Sequence, residues 1–206
     1  NSIIVPADTA GAGGGDLYPL VNNNNVYTAV DEFLGRGSYF VSNDVTDPVV
    51  SPYLSLAHSA AIAQTTNFSA WVFGRPNNVG TARDIMNKNG ITAWMISQRG
   101  ATSVTPRIYI GGAIYGEADG YTFENYKNFF ICFIYDGTQA TNALRLKINV
   151  NGIWITPTFT GTIPASVTNG SGALWVGSAF DNSGNSFWFF SFFTFYSSSK
   201  DSHLIA

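Results

Sequence analysis

YKNFFICFIYDGTQATNALRLKINVNG, residues Tyr126–Gly152, is the stretch on which the fold turns. Its second half alternates: Leu144, Leu146, Ile148 and Val150 share one parity, and Arg145, Lys147 and Asn149 share the other. Successive side chains of a strand point to opposite faces, so this pattern predicts one face in a core and one in water. Asn151-Gly152 follows at once. That dipeptide tolerates the two positive φ angles of a tight hairpin turn, and Ile153–Thr156 is the predicted return strand. The first half behaves differently, because Phe129–Tyr135 has no polar parity. A strand that is apolar on both sides needs cover on both.

The same vocabulary extends outward in both directions. Short β-prone runs at Ser38–Val41, Tyr53–Leu56, Phe68–Phe73, Ile85–Asn87, Thr92–Ser97, Thr105–Ile110, Ala173–Val176 and Ser186–Tyr196 are separated by turn clusters such as GRPNNVG and DGTQATN. Helical periodicity is almost absent, with one small turn or helical piece at His58–Ile62 and one short helix predicted over Val26–Leu34. Parallel α/β folds need crossover helices and are excluded, and no fixed repeat points to a propeller. The fold class is all-β: a two-sheet antiparallel jelly-roll sandwich. Glycine and asparagine runs at Ala10–Gly15 and Asn22–Asn25 set residues 1–37 apart as an arm or lead-in. Residues 38–198 form the sandwich and 199–206 a tail.

Composition narrows the partners. Charged residues are 11% of the 206, with a formal charge of −3, while the chain holds 19 Asn and 21 Gly. The polar surface is therefore built from amides, hydroxyls and backbone. No cationic patch exists to track phosphates or an anionic bilayer, so nucleic acid and membrane are excluded as partners. No run reaches the roughly 18 apolar residues of a spanning helix. The start, NSIIVPADTAG, has neither a basic nor a long apolar region and reads as a mature or excised N-terminus. Cys132, the only cysteine, lies in an apolar run and reads as a buried small hydrophobe.

Five pieces in order resemble the concanavalin A-like lectin/glucanase superfamily, in its laminin G-like and pentraxin-like branch. They are YLSLAHSAAIAQTTNFSAWVFG (Tyr53–Gly74), IMNKNG (Ile85–Gly90), the Tyr126–Gly152 stretch, GTIPASVTNGSGALWVGSAF (Gly161–Phe180) and FTFYSS (Phe193–Ser198). The resemblance implies a jelly roll of about twelve strands. The chain departs from the family at Lys127, Asn128 and Phe129, where a Trp-His-His is usual. It departs again at Phe190–Phe195, which replaces a closing strand with Gly and Asp.

Catalysis has little to build on, and the chain reads as a non-enzyme. Glu117, Asp119 and Glu124 are the nearest thing to paired carboxylates, but the spacing to Glu124 places it on the opposite strand face. His58 and His203 are far apart in sequence and sit near no nucleophile motif. Asp136, Asn142, Asp181 and Asn182 at strand ends supply oxygen ligands of the kind calcium takes, though Asp-Gly and Asp-Asn pairs more often make Asx turns. Two His and one Cys are neither clustered nor spaced for zinc. Tyr115, Tyr121, Trp154 and Trp175, with Arg75 and Arg99, offer the rings and donors that sugar recognition uses. In Ser186–Tyr196 the even parity carries Trp188, Phe190, Phe192 and Tyr196, a candidate assembly face.

Two functional readings follow. One is a lectin-like recognition or adhesion module, binding carbohydrate or a protein at an extracellular, cell or virion surface. The other is a structural virion component, of capsid, decoration or fibre, that self-associates through its aromatic sheet face.

Overall fold

The computed structural model describes residues 3–5, 18–23, 27–31, 35–39, 53–76, 83–99, 105–168, 170–177 and 188–196. In chain order the strands are β1 (Ile3–Val5), β2 (Tyr18–Asn23), β3 (Tyr27–Asp31), β4 (Gly35–Tyr39), β5 (Tyr53–Leu56), β6 (Asn67–Pro76), β7 (Arg83–Lys88) and β8 (Trp94–Arg99). They continue as β9 (Thr105–Ile110), β10 (Tyr115–Glu117), β11 (Phe129–Asp136), β12 (Leu146–Val150), β13 (Ile153–Ile155), β14 (Thr158–Thr160), β15 (Leu174–Val176) and β16 (Trp188–Tyr196). A one-turn helix, α1 (Asn142–Arg145), precedes β12, and 3-10 turns occupy Ala60–Ile62 and Gly90–Thr92.

The strands form two antiparallel sheets. One has nine strands in the order β1-β2-β5-β15-β7-β8-β9-β10-β14, the other seven in the order β13-β12-β11-β6-β16-β4-β3. This is the jelly-roll β-sandwich that the alternating pattern predicts. Two local expectations change. Within the helix predicted over Val26–Leu34, the described residues Tyr27–Asp31 are strand: β3 pairs with β4 from Tyr27↔Tyr39 to Asp31↔Gly35, so ladder pairing overrides a weak local preference. Strands also begin before residue 38, since β2 joins the nine-stranded sheet beside β5 and β3 lies at one edge of the other. At Pro157 the chain crosses between sheets, from β13 to β14. Proline has no N–H to continue a ladder, which suits it to that crossing.

The core lies between the sheets. From the seven-stranded sheet come Phe68, Ala70 and Val72 of β6, Ile131, Phe133 and Tyr135 of β11, and Leu146 and Ile148 of β12. The nine-stranded sheet answers with Leu54, Met86, Trp94, Ile96 and Ile108. Trp94 meets Phe133 at 5.4 Å and Phe68 at 6.1 Å between centroids, and Phe68 meets Tyr135 at 4.9 Å. Each such side chain contributes about 1.5–3 kcal/mol on full burial. Alternation in β12 holds for Leu146, Ile148 and Val150, which are buried, while Leu144 falls in α1 and is exposed.

Asn149, expected in water, is fully buried. Its Oδ1 accepts the Gly152 N–H at 2.9 Å and closes the hairpin turn in which Asn151 and Gly152 take φ of 53° and 87°. The same device appears in Asn87-Lys88-Asn89-Gly90: Asn87, also buried, accepts the Gly90 N–H at 3.2 Å, and Asn89 and Gly90 take φ of 56° and 58°. A buried amide thus satisfies a turn N–H at two places where the sequence reads Asn-x-x-Gly.

Two further polar groups are drawn inside. Lys88 is fully buried, and its Nζ donates to His58 Nδ1 at 3.2 Å, to the Gly170 carbonyl at 3.3 Å and to the Gly172 carbonyl. Burial pushes its pKa down. The ammonium ties the loop after β5 to the loop before β15. Tyr135 reaches through the core to donate from its hydroxyl to the Pro164 carbonyl at 2.9 Å. Nearby, Gly137 has no room for a side chain, because a Cβ there would lie 1.9 Å from the Ala165 carbonyl oxygen.

In β16 the register shifts between Phe190 and Phe192. Trp188 and Phe190 stand opposite Pro76 and Gly74, on the core-side parity of β6. Phe192 and Tyr196 stand opposite Phe73 and Ser69, on its outer parity. The four residues predicted as one assembly face therefore divide into two pairs by register, because one unpaired residue inverts the parity beyond it.

Burial raises the Tyr135 pKa to about 12, with Asp136 adding to the rise and Arg145 opposing it. The neutral phenol is favoured in the fold, so its contribution is intact below pH of about 10 and is lost as pH climbs from there through about 12. Alkaline unfolding monitored by circular dichroism should show this loss, and Tyr135→Phe should remove that pH dependence. The variant should also cost about 1 kcal/mol at neutral pH through the lost bond to Pro164.

Candidate functional site

The strand pair β9–β10 puts an ordered set of polar and aromatic groups on the outer side of the nine-stranded sheet. Ile108, of β9, faces the core, and the alternating residues Arg107 and Tyr109 face away from it. In β10, Gly116 is the inward residue. A Cβ there would stand 3.0 Å from Leu146 and 3.1 Å from Pro157, so glycine fits this short strand without making those neighbours shift. Tyr115 and Glu117 flank it on the outer parity. Register then sets Tyr109↔Tyr115 and Arg107↔Glu117, with Thr160 and Thr158 of the edge strand β14 completing the two rows.

The side chains close into a cluster. Arg107 Nε donates to Glu117 Oε2 at 2.7 Å, and the guanidinium carbon lies 4.7 Å from the centre of the Tyr115 ring. The Tyr109 and Tyr115 rings meet at 5.1 Å. Burial works against the charge on Arg107, but hydrogen bonds with Glu117 and Tyr109 outweigh it and hold the guanidinium more firmly protonated than usual. Arg107 and Glu117 keep 23% and 14% of their side-chain surface exposed, and Thr158 and Thr160 are exposed beside them. The patch therefore offers ring surface, hydroxyls and an oriented donor–acceptor pair at a sheet edge. Those are the elements that hold a polyhydroxylated ligand.

The predicted sugar-contacting residues do not converge. Tyr115 belongs to the cluster. Trp175 lies on the same sheet but on β15, beyond β7 and β8, with its ring stacked on Tyr53 at 4.4 Å and 2°. Tyr121 packs against the core. Trp154, 44% exposed, stands on β13 at the edge of the other sheet, and Arg75 is on β6 of that same sheet. Arg99 closes β8, and its side chain lies outside the described residues. Arg107 and Tyr109 were missed, and Glu117 was weighed only as a catalytic carboxylate. The odd parity shared by Arg107, Tyr109, Tyr115 and Glu117 across the Gly111-Gly112 turn was the available signal.

The acidic residues serve local structure. Glu124 pairs with Lys127 at 2.6 Å, Asp119 sits exposed in a turn, and Glu117 is held by Arg107. Asp136 Oδ1 accepts the Thr138 N–H at 3.0 Å and hydroxyl at 2.6 Å, and Oδ2 accepts Gln139 Nε2 at 2.9 Å. Asn142 bridges two backbones, donating to Gly161 O and accepting from Ile163 N, each at 2.9 Å. These two proposed calcium ligands are engaged as turn and loop ties. Asp181 and Asn182 lie outside the described residues, and among the described residues no group of three or more His, Cys, Asp or Glu is placed to hold a metal ion. Cys132 is buried, and its thiol donates to the Phe133 carbonyl at 3.8 Å. No described helix is long and apolar enough to cross a membrane.

No family model matches the chain, and no curated protein matches it in sequence. Its fold, however, is similar to that of known jelly-roll β-sandwich domains. A native heptameric SAP-like pentraxin from Limulus polyphemus matches with a TM-score of 0.56 at 12% identity, over 81% of this chain and 78% of the pentraxin. Domain 4 of AbnA, a GH43 extracellular arabinanase from Geobacillus stearothermophilus solved with arabinotriose, matches with a TM-score of 0.60 at 12% identity, over 96% of this chain and 82% of that domain. The binding domain of botulinum neurotoxin DC, in complex with rat synaptotagmin II, matches with a TM-score of 0.60 at 10% identity. This match covers 99% of the present chain but only 50% of the toxin domain. These likenesses establish the fold, a β-sandwich shared with carbohydrate- and protein-binding domains.

Hydrogen bonds from Thr138 and then Gln139 hold the Asp136 carboxyl below the usual aspartate range, against a smaller opposing effect of burial. The turn is therefore stabilised above the ordinary carboxylate pKa, and this support is lost as pH falls through the depressed value. Titration of Asp136 by NMR should locate it below its ordinary value, and Thr138→Val should move it back up. An unchanged value in that variant would show that the hydroxyl does not hold the carboxylate.

Proposed function

We propose that this chain is a lectin-like recognition module that binds carbohydrate through the Arg107–Tyr115–Glu117 face of the nine-stranded sheet. The observation that carries this reading is the guanidinium fixed by Glu117 and laid over the Tyr115 ring. Such a pair presents directional donors and acceptors beside a partly exposed tyrosine ring, a combination suited to a sugar. The shared shape with domain 4 of the arabinanase, solved with arabinotriose, is consistent with that use. The setting we assign is extracellular or at a cell or particle surface, and the role is recognition rather than catalysis. A glycan panel followed by calorimetry tests the site. At least one glycan should bind the folded chain, and Tyr115→Ala should weaken that binding about tenfold while circular dichroism stays unchanged. Binding that survives this substitution would remove the site.

A second reading, self-assembly into a larger particle, rests on the outer side of the seven-stranded sheet. There Trp71 and Phe130 meet at 5.9 Å, Phe73 pairs with Phe130 across the ladder, and all three rings are only half-buried. Phe192 stands next to Phe73 in register. Native mass measurement across concentration should show oligomers that Phe73→Asp dissociates. A monomer at every concentration would dispose of this reading.

A further inference from the structure

We infer that the ligand of the β9–β10 face is an uncharged glycan, held without a metal ion, because Arg107 and Glu117 cancel each other's charge at the site. This inference rests on the carbohydrate reading above and specifies its chemical class. Arg107 is the only described cation of that cluster, and its Nε is committed to Glu117 at 2.7 Å. An anionic sugar brought to the guanidinium would meet the Glu117 carboxylate at nearly the same distance, so attraction and repulsion offset each other. A neutral sugar meets no such penalty. Its hydroxyls can accept from the guanidinium N–H groups that Glu117 and Tyr109 leave open and donate to the carboxylate.

The surroundings point the same way. Thr158 and Thr160, exposed on β14, add hydroxyls and no charge, and the half-buried Tyr115 adds a phenol. The chain as a whole carries −3 with 11% charged residues, so no cationic field draws in sulfated or carboxylated glycans. The polar groups needed for hydroxyl recognition are present as protein side chains, brought together by the strand register. Because β14 is the last strand of the sheet, the patch opens past an edge, and a glycan can extend beyond it.

The test uses the full chain against neutral oligosaccharides and against sialylated and sulfated ones, at low and high salt, with and without EDTA. Neutral oligosaccharides should bind, with affinity unchanged within about twofold by salt or by EDTA. Arg107→Met should lose about tenfold or more. Glu117→Gln, which uncovers the cation, should raise affinity for acidic relative to neutral glycans on the order of fivefold. Three results overturn the inference while leaving a lectin: binding abolished by EDTA, binding confined to acidic glycans and weakened by salt, or no change in preference in Glu117→Gln. Failure of the folded chain to bind any glycan class would instead remove the carbohydrate reading itself.

Discussion

Trp94 of the nine-stranded sheet sits against Phe68 and Phe133 of the seven-stranded sheet, and most of the remaining structure follows from that contact. Large rings filling the space between two sheets hold them at a spacing of about 10 Å. Two glycines fit where neighbours crowd the backbone: Gly116 lies under Leu146 and Pro157, and Gly137 lies under the Ala165 carbonyl. The pairing of β10 with β9 determines which residues β10 presents outward.

Polar groups make the second layer of constraint. With so few charges, the chain uses amides and backbone to close its turns, and the buried Asn87 and Asn149 each satisfy a glycine N–H three residues on. Charged groups also take part, as the Asp136 carboxylate does within its turn and Lys88 does in the interior. Its ammonium is held in the interior by two carbonyls and an imidazole, and burial lowers its pKa. Arg107 contrasts with it, since a carboxylate and a phenol hold its charge in place. One cation binds loops together; the other lies on an outer face with part of its surface open.

Much of the fold was legible from alternation and turn chemistry. Leu146, Ile148 and Val150 face the core, and Asn151-Gly152 makes the hairpin. Where the reading failed, a non-local pairing decided the outcome. Val30 and its neighbours pair with β4 rather than coil into a helix, and Asn149 turns inward because the hairpin it precedes needs an acceptor. The candidate site was scarcely legible. Rings and arginines were chosen by type, and they scatter over both sheets and the core, as Trp154, Arg75 and Tyr121 do.

The sequence by itself determined that two sheets would form and which parity of β12 would be buried, because side chains alternate along any strand and only there does one parity carry the polar residues. It also settled the chemistry of the surface, since a chain with 11% charge must meet its partners largely through hydroxyls, amides and rings. Only the tertiary structure decided which of those groups stand together. Arg107, Tyr115 and Glu117 meet because β10 pairs with β9 in one register, with a glycine beneath it. Phe190 and Phe192 part company because one unpaired residue inverts the parity of β16. Register depends on both strands at once, so no single stretch of sequence encodes it.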